Sequence, residues 1–398
     1  MPASRDVAII TPWYPNSQSP FGGAFVQAMV AATAPGCDRV TVFHCDPWKL
    51  RDESRLPAVE KAHKRLMKRA LRSVPDVAGA ELVYVPVPLT GRPSFAERAH
   101  SYAENLRLAL GGQPIPADVV HAHVGLRGGF VALDNARPDA RVHVTEHSTF
   151  LDQVLAQPDS REMYGEVLRR CTSFNAVGDP VREPLAEAFP EQAAKIGLIP
   201  NAIDFGPKRA EPVRELRRWL YLGSLIERKG VGLLVEAFAT CHDKDPDLRL
   251  TIVGEGVLGA ELTARVAELG LSDVVDFTGS IPPAEALRMI ATHDLLVHPS
   301  RLETFGMTIV EAIAAGTPIL VTRSGGPQET LAGVEEAAGE MIDVTDDPAT
   351  ISEGYWRLRD RFPAGLDLAR AREVLAGRYS FEAVGARHHE LWFSRERA

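Results

Sequence analysis

Two glutamates stand eight positions apart in the stretch HPSRLETFGMTIVEAIAAGTPILVT, residues 298–322. Glu303 falls in the polar turn RLETFG, and Glu311 in the apolar run MTIVEAIAA, which reads as a helix closed by Gly316 and Pro318. The preceding DLLVHPS reads as a strand, so Glu303 belongs at the carboxyl edge of a sheet. The amides of Phe305, Gly306, Met307 and Thr308 are then the unpaired donors of a helix N-terminus, which carries roughly half a positive charge. Such an end can hold a phosphate, and Gly306 lets a ligand approach the backbone closely. Lys229, in the strand-to-helix turn GSLIERKG, would add a full charge. Together these groups could stabilise a nucleoside diphosphate leaving group without a metal. Glu311, one turn into the helix, would face back to accept from vicinal ribose hydroxyls, while Glu303 would reach the hydroxyls of the group being transferred. The offset between the two carboxylates is explained if one ligand is gripped on both sides of its diphosphate.

The elements that must position these groups follow from the apolar runs. In the first 150 residues VAII (7–10), VTVFH (40–44), LVYVPV (82–87), DVVHAH (118–123) and RVHVTEH (141–147) read as strands. GGAFVQAMVAATA (22–34) and SFAERAHSYAENLRLAL (94–110) read as helices between them. Strands without strict alternation, linked by helices, imply a parallel sheet covered on both faces. From RWLYLGSL (218–225) the alternation begins again and continues to DLLVHPS, giving a second doubly wound α/β sheet. The boundary is placed in IPNAIDFGPKRAEPV (199–213), so the expected domains are 1–200 and 214–379, with a helix at about 380–398 returning to the first. Ligands of such sheets bind beyond the carboxyl ends of the strands, here expected in a cleft between the domains.

With 398 residues, 45% hydrophobic and 24% charged, the chain is globular and long enough for two domains. A net charge of -9 argues against general nucleic-acid affinity. The four cysteines, Cys37, Cys45, Cys171 and Cys241, form no CxxC pair and imply neither a zinc site nor a disulfide framework. With no run of about 18 apolar residues, the expectation is a cytoplasmic enzyme. The basic segment 48–73 could place Val59, Leu66, Met67, Ala70 and Leu71 on one face, to touch an anionic membrane or to lie solvated on the surface. His121 and His123 share a strand face at zinc-ligand spacing, but no third ligand is visible. Asp243 to Asp245 read as a surface loop rather than a metal motif, and GEGVLG from Gly254 as a turn. The pair Trp13 and Tyr14 could stack on a sugar or cyclitol ring, or pack in the core.

ETFGMTIVEAIAAGTPIL resembles the E-x7-E motif of the family 4 retaining glycosyltransferases, which have the GT-B fold and use nucleotide-sugar donors. GGAFVQAM, DVVHAHVG, VTEHSTF, IPNAID, YLGSLIERKG, IVGEGVLGAEL and VVDFTGSI are similar, in order, to that family's successive motifs. The resemblance implies two Rossmann-like domains facing a cleft, the first binding acceptor and the second donor. It makes Lys229 a diphosphate ligand, Glu303 a ligand of the donor sugar and Glu311 the ribose ligand. Thr304 and the Phe305 to Thr308 segment would contact the donor, with the Ile281 backbone at the base and Gly254 beside it. Gly22 and Gly23 would close over the diphosphate. His147 would be the active-site histidine, and His123 would contact acceptor or donor. The implied reaction passes a sugar, most often from a UDP-sugar, to a small-molecule, glycan or lipid-linked acceptor, with no metal or other cofactor.

Two positions depart from the pattern. Where the family commonly has Arg after the Gly of YLG, this chain has Ser224, so that either Arg228 compensates or Lys229 acts alone. Ala202 replaces the usual Gly in the linker. The rival readings are a nucleotide-sugar epimerase or phosphorylase of the same fold, and a non-catalytic nucleotide-sugar binding protein. Peripheral attachment at the inner face of the membrane remains an open expectation.

Overall fold

Chain order within the two sheets is what brings the chemistry-bearing loops together. The computed structural model describes residues 4–394 apart from 18, 50–55, 68–71 and 207. Its first eight strands are β1 (Asp6–Thr11), β2 (Arg39–Lys49), β3 (Val74–Pro75), β4 (Glu81–Leu89), β5 (Val119–His123), β6 (Arg141–Glu146), β7 (Ser173–Ala176) and β8 (Ile196–Leu198). They form one sheet in the order β3-β4-β2-β1-β5-β6-β7-β8, parallel except for the β3–β4 pair. The remaining six are β9 (Arg218–Leu222), β10 (Arg249–Val253), β11 (Val275–Gly279), β12 (Leu295–His298), β13 (Ile319–Thr322) and β14 (Gly339–Ile342). Their sheet is wholly parallel in the order β11-β10-β9-β12-β13-β14. In each sheet the order reverses at one point, between β1 and β5 and between β9 and β12. The crevice at such a reversal is where open α/β sheets bind ligands.

Contacts divide the chain into one unit of residues 1–202 with 384–398 and a second of residues 203–383. The strands are apolar on both faces because helices cover both, and Ile9, Ile10, Leu220, Tyr221, Leu296 and Val297 are all at 0% exposure. Each such aliphatic side chain contributes about 1.5–3 kcal/mol by leaving water, which suffices to hold the short central strands. The second core centres on Trp219, with Phe238 and Tyr355 packed edge-on against it at 5.4 and 4.6 Å between ring centroids.

The helix expected at about 380–398 covers Phe381–Phe393, and a separate helix, Leu368–Tyr379, comes directly before it. Ser380 is extended and its hydroxyl accepts from the Ala383 amide at 3.2 Å, so a serine cap restarts the helix rather than continuing it. Trp392 of the last helix is buried among Val7, Ile9, Val26, Met29 and Val30 of the first unit. Strands β3, β7 and β8, two to four residues each, escaped the pattern reading because they are too short to show a period. In the basic segment a helix covers Leu56–Met67, with Val59, Leu66 and Met67 half-buried; Ala70 and Leu71 lie outside the described residues. Among the described residues no helix is long and apolar enough to cross a membrane.

Candidate active site

In the second unit the loops after β9 and β12 are stitched together before any ligand is considered. The Arg228 carbonyl accepts from the Arg301 amide at 2.8 Å and from Ser300 Oγ at 3.2 Å, while the Arg228 guanidinium donates to the Leu302 carbonyl at 2.6 Å. Gly230 permits the close approach: its φ is +67°, and a Cβ there would lie 2.0 Å from the Pro299 carbonyl oxygen. The far side of the Glu303 loop is fixed by Glu303 N to Ser324 O and Gly326 N to Glu303 O, both 2.9 Å. Lys229 and Glu303, 74 residues apart, therefore meet, with Nζ 2.5 Å from Oε1.

Glu303 is 7% exposed, and burial alone would raise its carboxyl. The hydrogen bond from His298 and the Lys229 charge outweigh that penalty and hold it well below the usual carboxylate range. His298, missed in the sequence, is the residue beneath: its Nε2 donates to Oε1 at 2.8 Å and its ring stacks on Tyr221 at 6.0 Å. Burial lowers the imidazole below its ordinary value, and Nδ1 has no hydrogen-bond partner among the described residues. The neutral tautomer protonated on Nε2 meets both facts. Both contacts fall on Oε1, which leaves Oε2 of Glu303 without a hydrogen bond among the described residues.

The helix Met307–Ala315 starts from Gly306 with no side-chain cap. The Phe305, Gly306, Met307 and Thr308 amides donate to no other described group, so this end can take an anion. Thr304 lies in the same turn. Glu311 is half-buried on this helix and has no hydrogen-bond or ion-pair partner among the described residues. Burial pushes its carboxyl up to about 7. Ile281 follows β11 with its side chain buried and its main chain unpaired among the described residues, an arrangement suited to backbone contacts with a flat ring. Ser224 is exposed after β9, and the Arg228 charge is felt at both Tyr221 and His298. Gly254 packs against the Gly223 carbonyl oxygen, which a Cβ would approach to 2.0 Å.

In the first unit, His123 ends β5 and His147 follows β6, with His123 Nδ1 2.9 Å from His147 Nε2. Burial keeps His123 well below its ordinary range and His147 down at about 3, so both rings are neutral near pH 7. The Phe25 ring lies 4.4 Å from His147. Gly22 and Gly23 precede the helix Ala24–Thr33. Glu146 is fully engaged: Oε2 accepts from Gly125 N at 2.8 Å and Tyr164 Oη at 2.7 Å, Oε1 from His147 N and Ser148 N at 2.8 Å. It ties the loops after β5 and β6 together and offers no lone pair to a reacting carbon.

Tyr14 corrects one expectation. It is 2% exposed, packed in the first core, and its hydroxyl donates to Asp76, so it cannot stack on an acceptor. Trp13 is half-buried beside Phe25 and Phe150. His121 spends both nitrogens, on Thr145 Oγ1 at 2.9 Å and on the Trp392 indole at 2.8 Å, which excludes it as a metal ligand. Asp243 and Lys244 are exposed in the turn after the helix Val231–His242, while the Asp245 side chain is buried and pairs with Arg359 at 2.7 Å. Among the described residues no three His, Cys, Asp or Glu side chains come together so as to hold a metal ion.

Comparison with known proteins adds an independent line. Residues 40–206 match the family described as Glycosyltransferase Family 4, and residues 207–358 match Glycosyl transferases group 1. The chain is 31% identical over 242 residues to the 2-deoxystreptamine glucosyltransferase of Streptomyces kanamyceticus, spanning 52% of this chain and 62% of that one. It is 25% identical over 413 residues to the D-inositol 3-phosphate glycosyltransferase of Segniliparus rotundus, over 91% and 90% of the two chains. In fold it is similar to the sucrose-phosphate synthase of Thermosynechococcus elongatus, with a TM-score of 0.73, 20% identity and 98% of both chains covered. Anabaena HepE, solved in complex with UDP and glucose, aligns with a TM-score of 0.66 and 17% identity over 97% of this chain and 98% of that one.

Proposed function

From the premise that the chain is a family 4 glycosyltransferase of the GT-B fold, we propose that it transfers a sugar with retention from a nucleoside diphosphate sugar, first of all a UDP-sugar. The acceptor is a hydroxyl of a sugar, cyclitol, glycan or lipid-linked molecule, and no metal takes part. The observation that carries the proposal is the meeting of Lys229 and Glu303 at the β9–β12 reversal, beside a helix end with unpaired amides. As the bond from C1 to the diphosphate oxygen breaks, its electron pair moves onto the diphosphate. Lys229, with two protons not given to Glu303, and the Phe305 to Thr308 amides stabilise that charge in place of a divalent cation. The free Oε2 of Glu303 accepts from a donor-sugar hydroxyl, and Glu311 accepts from the ribose. The acceptor hydroxyl attacks C1 from the face the diphosphate leaves, and its proton passes to a leaving phosphate oxygen. The first unit contributes Trp13, His123 and His147 to acceptor binding. His147 acts there as a neutral hydrogen-bonding group, because its lowered pKa removes it from proton transfer near pH 7.

A thermal-shift panel of UDP, GDP, ADP and dTDP, with magnesium and with EDTA, tests the donor half of this reading. UDP is expected to raise the midpoint equally under both conditions, and Glu311→Ala to abolish the response. The same carboxylate sets a pH dependence. The ionised carboxylate accepts from both ribose hydroxyls, whereas the protonated acid keeps one good acceptor oxygen and no charge, so below its value of about 7 tight binding is coupled to loss of a proton. Affinity for a UDP-sugar, whose phosphates do not titrate in this range, is expected to fall toward about tenfold per unit as pH drops below 7. Glu311→Gln should bind weakly with a flat profile. Equal slopes in the two proteins would remove Glu311 from the ribose.

A further inference from the structure

At the reversal of the first sheet, the loops after β1, β5 and β6 and the first turn of the helix Phe95–Ala109 build a row of aromatic rings with cations laid on it. Trp13 and Phe150 meet edge-on at 6.3 Å, and Phe150 stacks on Phe95 at 6.0 Å with an interplanar angle of 15°. The Arg127 guanidinium lies 4.9 Å from the Trp13 ring centre and 5.8 Å from that of Phe150. Arg98 lies 5.3 Å over Phe95. Neither arginine pairs with a carboxylate among the described residues; Arg98 donates to the Pro93 carbonyl, and Arg127 lies near the Tyr102 hydroxyl. Among the arginines of this unit, Arg107, Arg137, Arg170 and Arg182 have carboxylate partners, whereas Arg161 has none among the described residues and lies over Phe189. A half-buried guanidinium held between two ring faces keeps its fork of donors for an oxyanion, and it does so next to the expected acceptor groups.

We propose that the acceptor bears a phosphate on a polyol ring, which Arg127 binds while the ring lies against Trp13. The assignment rests on the acceptor-binding role proposed above for the first unit, and it names the substrate class that role serves. Bidentate pairing between guanidinium and phosphate gives the site its preference, and the apolar face of a sugar or cyclitol covers the indole. A cationic aminocyclitol would meet two unpaired positive charges and be disfavoured.

The test is calorimetric titration of wild type, Arg127→Gln and Arg127→Lys with matched probes. These are glucose and glucose 6-phosphate, myo-inositol and inositol 1-phosphate, 2-deoxystreptamine, and vesicles containing phosphatidylinositol. In wild type, at least one phosphorylated probe is expected to bind about 10- to 100-fold more tightly than its neutral partner. Arg127→Gln should erase that preference without weakening UDP binding, and Arg127→Lys should keep part of it. A response confined to the vesicles would assign the anion to a lipid headgroup, and one to the sugar phosphates to a soluble acceptor. No preference for phosphate in wild type, an undiminished preference in Arg127→Gln, or tighter binding of 2-deoxystreptamine would each overturn the proposal. The UDP response of the same samples reports the donor site separately, so its presence leaves the transferase reading standing whichever way the acceptor result falls.

Discussion

Lys229→Ala is expected to lower turnover by roughly a hundred- to a thousand-fold, the usual consequence of removing one preorganised donor from a developing oxyanion. Two losses coincide in this variant. The diphosphate loses its only full lysine charge in the loop after β9, and Glu303 is left buried with His298 as its remaining partner. Breaking a buried pair by deleting one side costs about 3–5 kcal/mol when both groups are fully sequestered. Lys229 keeps 17% side-chain exposure, so a smaller cost is expected here. The pH dependence has a definite sign. Glu303 is held below its ordinary 4.5, so it contributes stability above that value and loses it in stronger acid. Lys229→Ala gives up part of this contribution near neutrality and should show a shallower acid loss. Turnover measured at a temperature where circular dichroism shows the variant folded separates the two effects. Near-normal turnover there would remove Lys229 from the diphosphate.

Glu146→Gln is expected to cost several kcal/mol of stability while leaving the reaction's stereochemistry unchanged. The carboxylate accepts four hydrogen bonds, from three amides and a tyrosine hydroxyl, at 1% exposure. A glutamine can accept with one oxygen only, and its amide then faces donors across the same gaps. Leaving buried donors unpaired costs about 1–3 kcal/mol each. At about 2–4 °C per kcal/mol for domains of this size, the melting midpoint should fall by roughly 5–15 °C. Residual activity should retain configuration, and intact-mass analysis should find no glycosyl adduct on the wild-type protein. A trapped adduct on Glu146 would replace same-face attack with a covalent route.

Which features were legible in the sequence follows from where their partners lie. β1, β5, β9 and β12 were visible because each carries a short run of mostly apolar residues, and the turn-helix RLETFGMTIVEAIAA was visible because Gly306 and Gly316 bracket the helix. Tyr14 and Trp13 look alike in a loop, and what sends Tyr14 inward is Asp76, 62 residues away. His298 sits at a strand end where a buried structural histidine is the ordinary case, and only the turn that folds Glu303 back over it reveals a contact five residues on. Glu146 adjoins His147 and could have been a reacting group, until Gly125 and Tyr164 are found on its second oxygen. Arg127 in GLRGGF carries no periodic signal. Its meaning comes from rings on two other loops and from the absence of a carboxylate partner. Local pattern carries elements and their ends; pairings across loops carry the site.

The most direct test of retaining transfer is proton NMR of a reaction with an α-linked UDP-sugar, EDTA and a panel of sugar and cyclitol acceptors. Consumption of the donor with appearance of an α-glycoside, only when acceptor is present, is the predicted result. A β-glycoside, or an isomerised donor formed without acceptor, would contradict it.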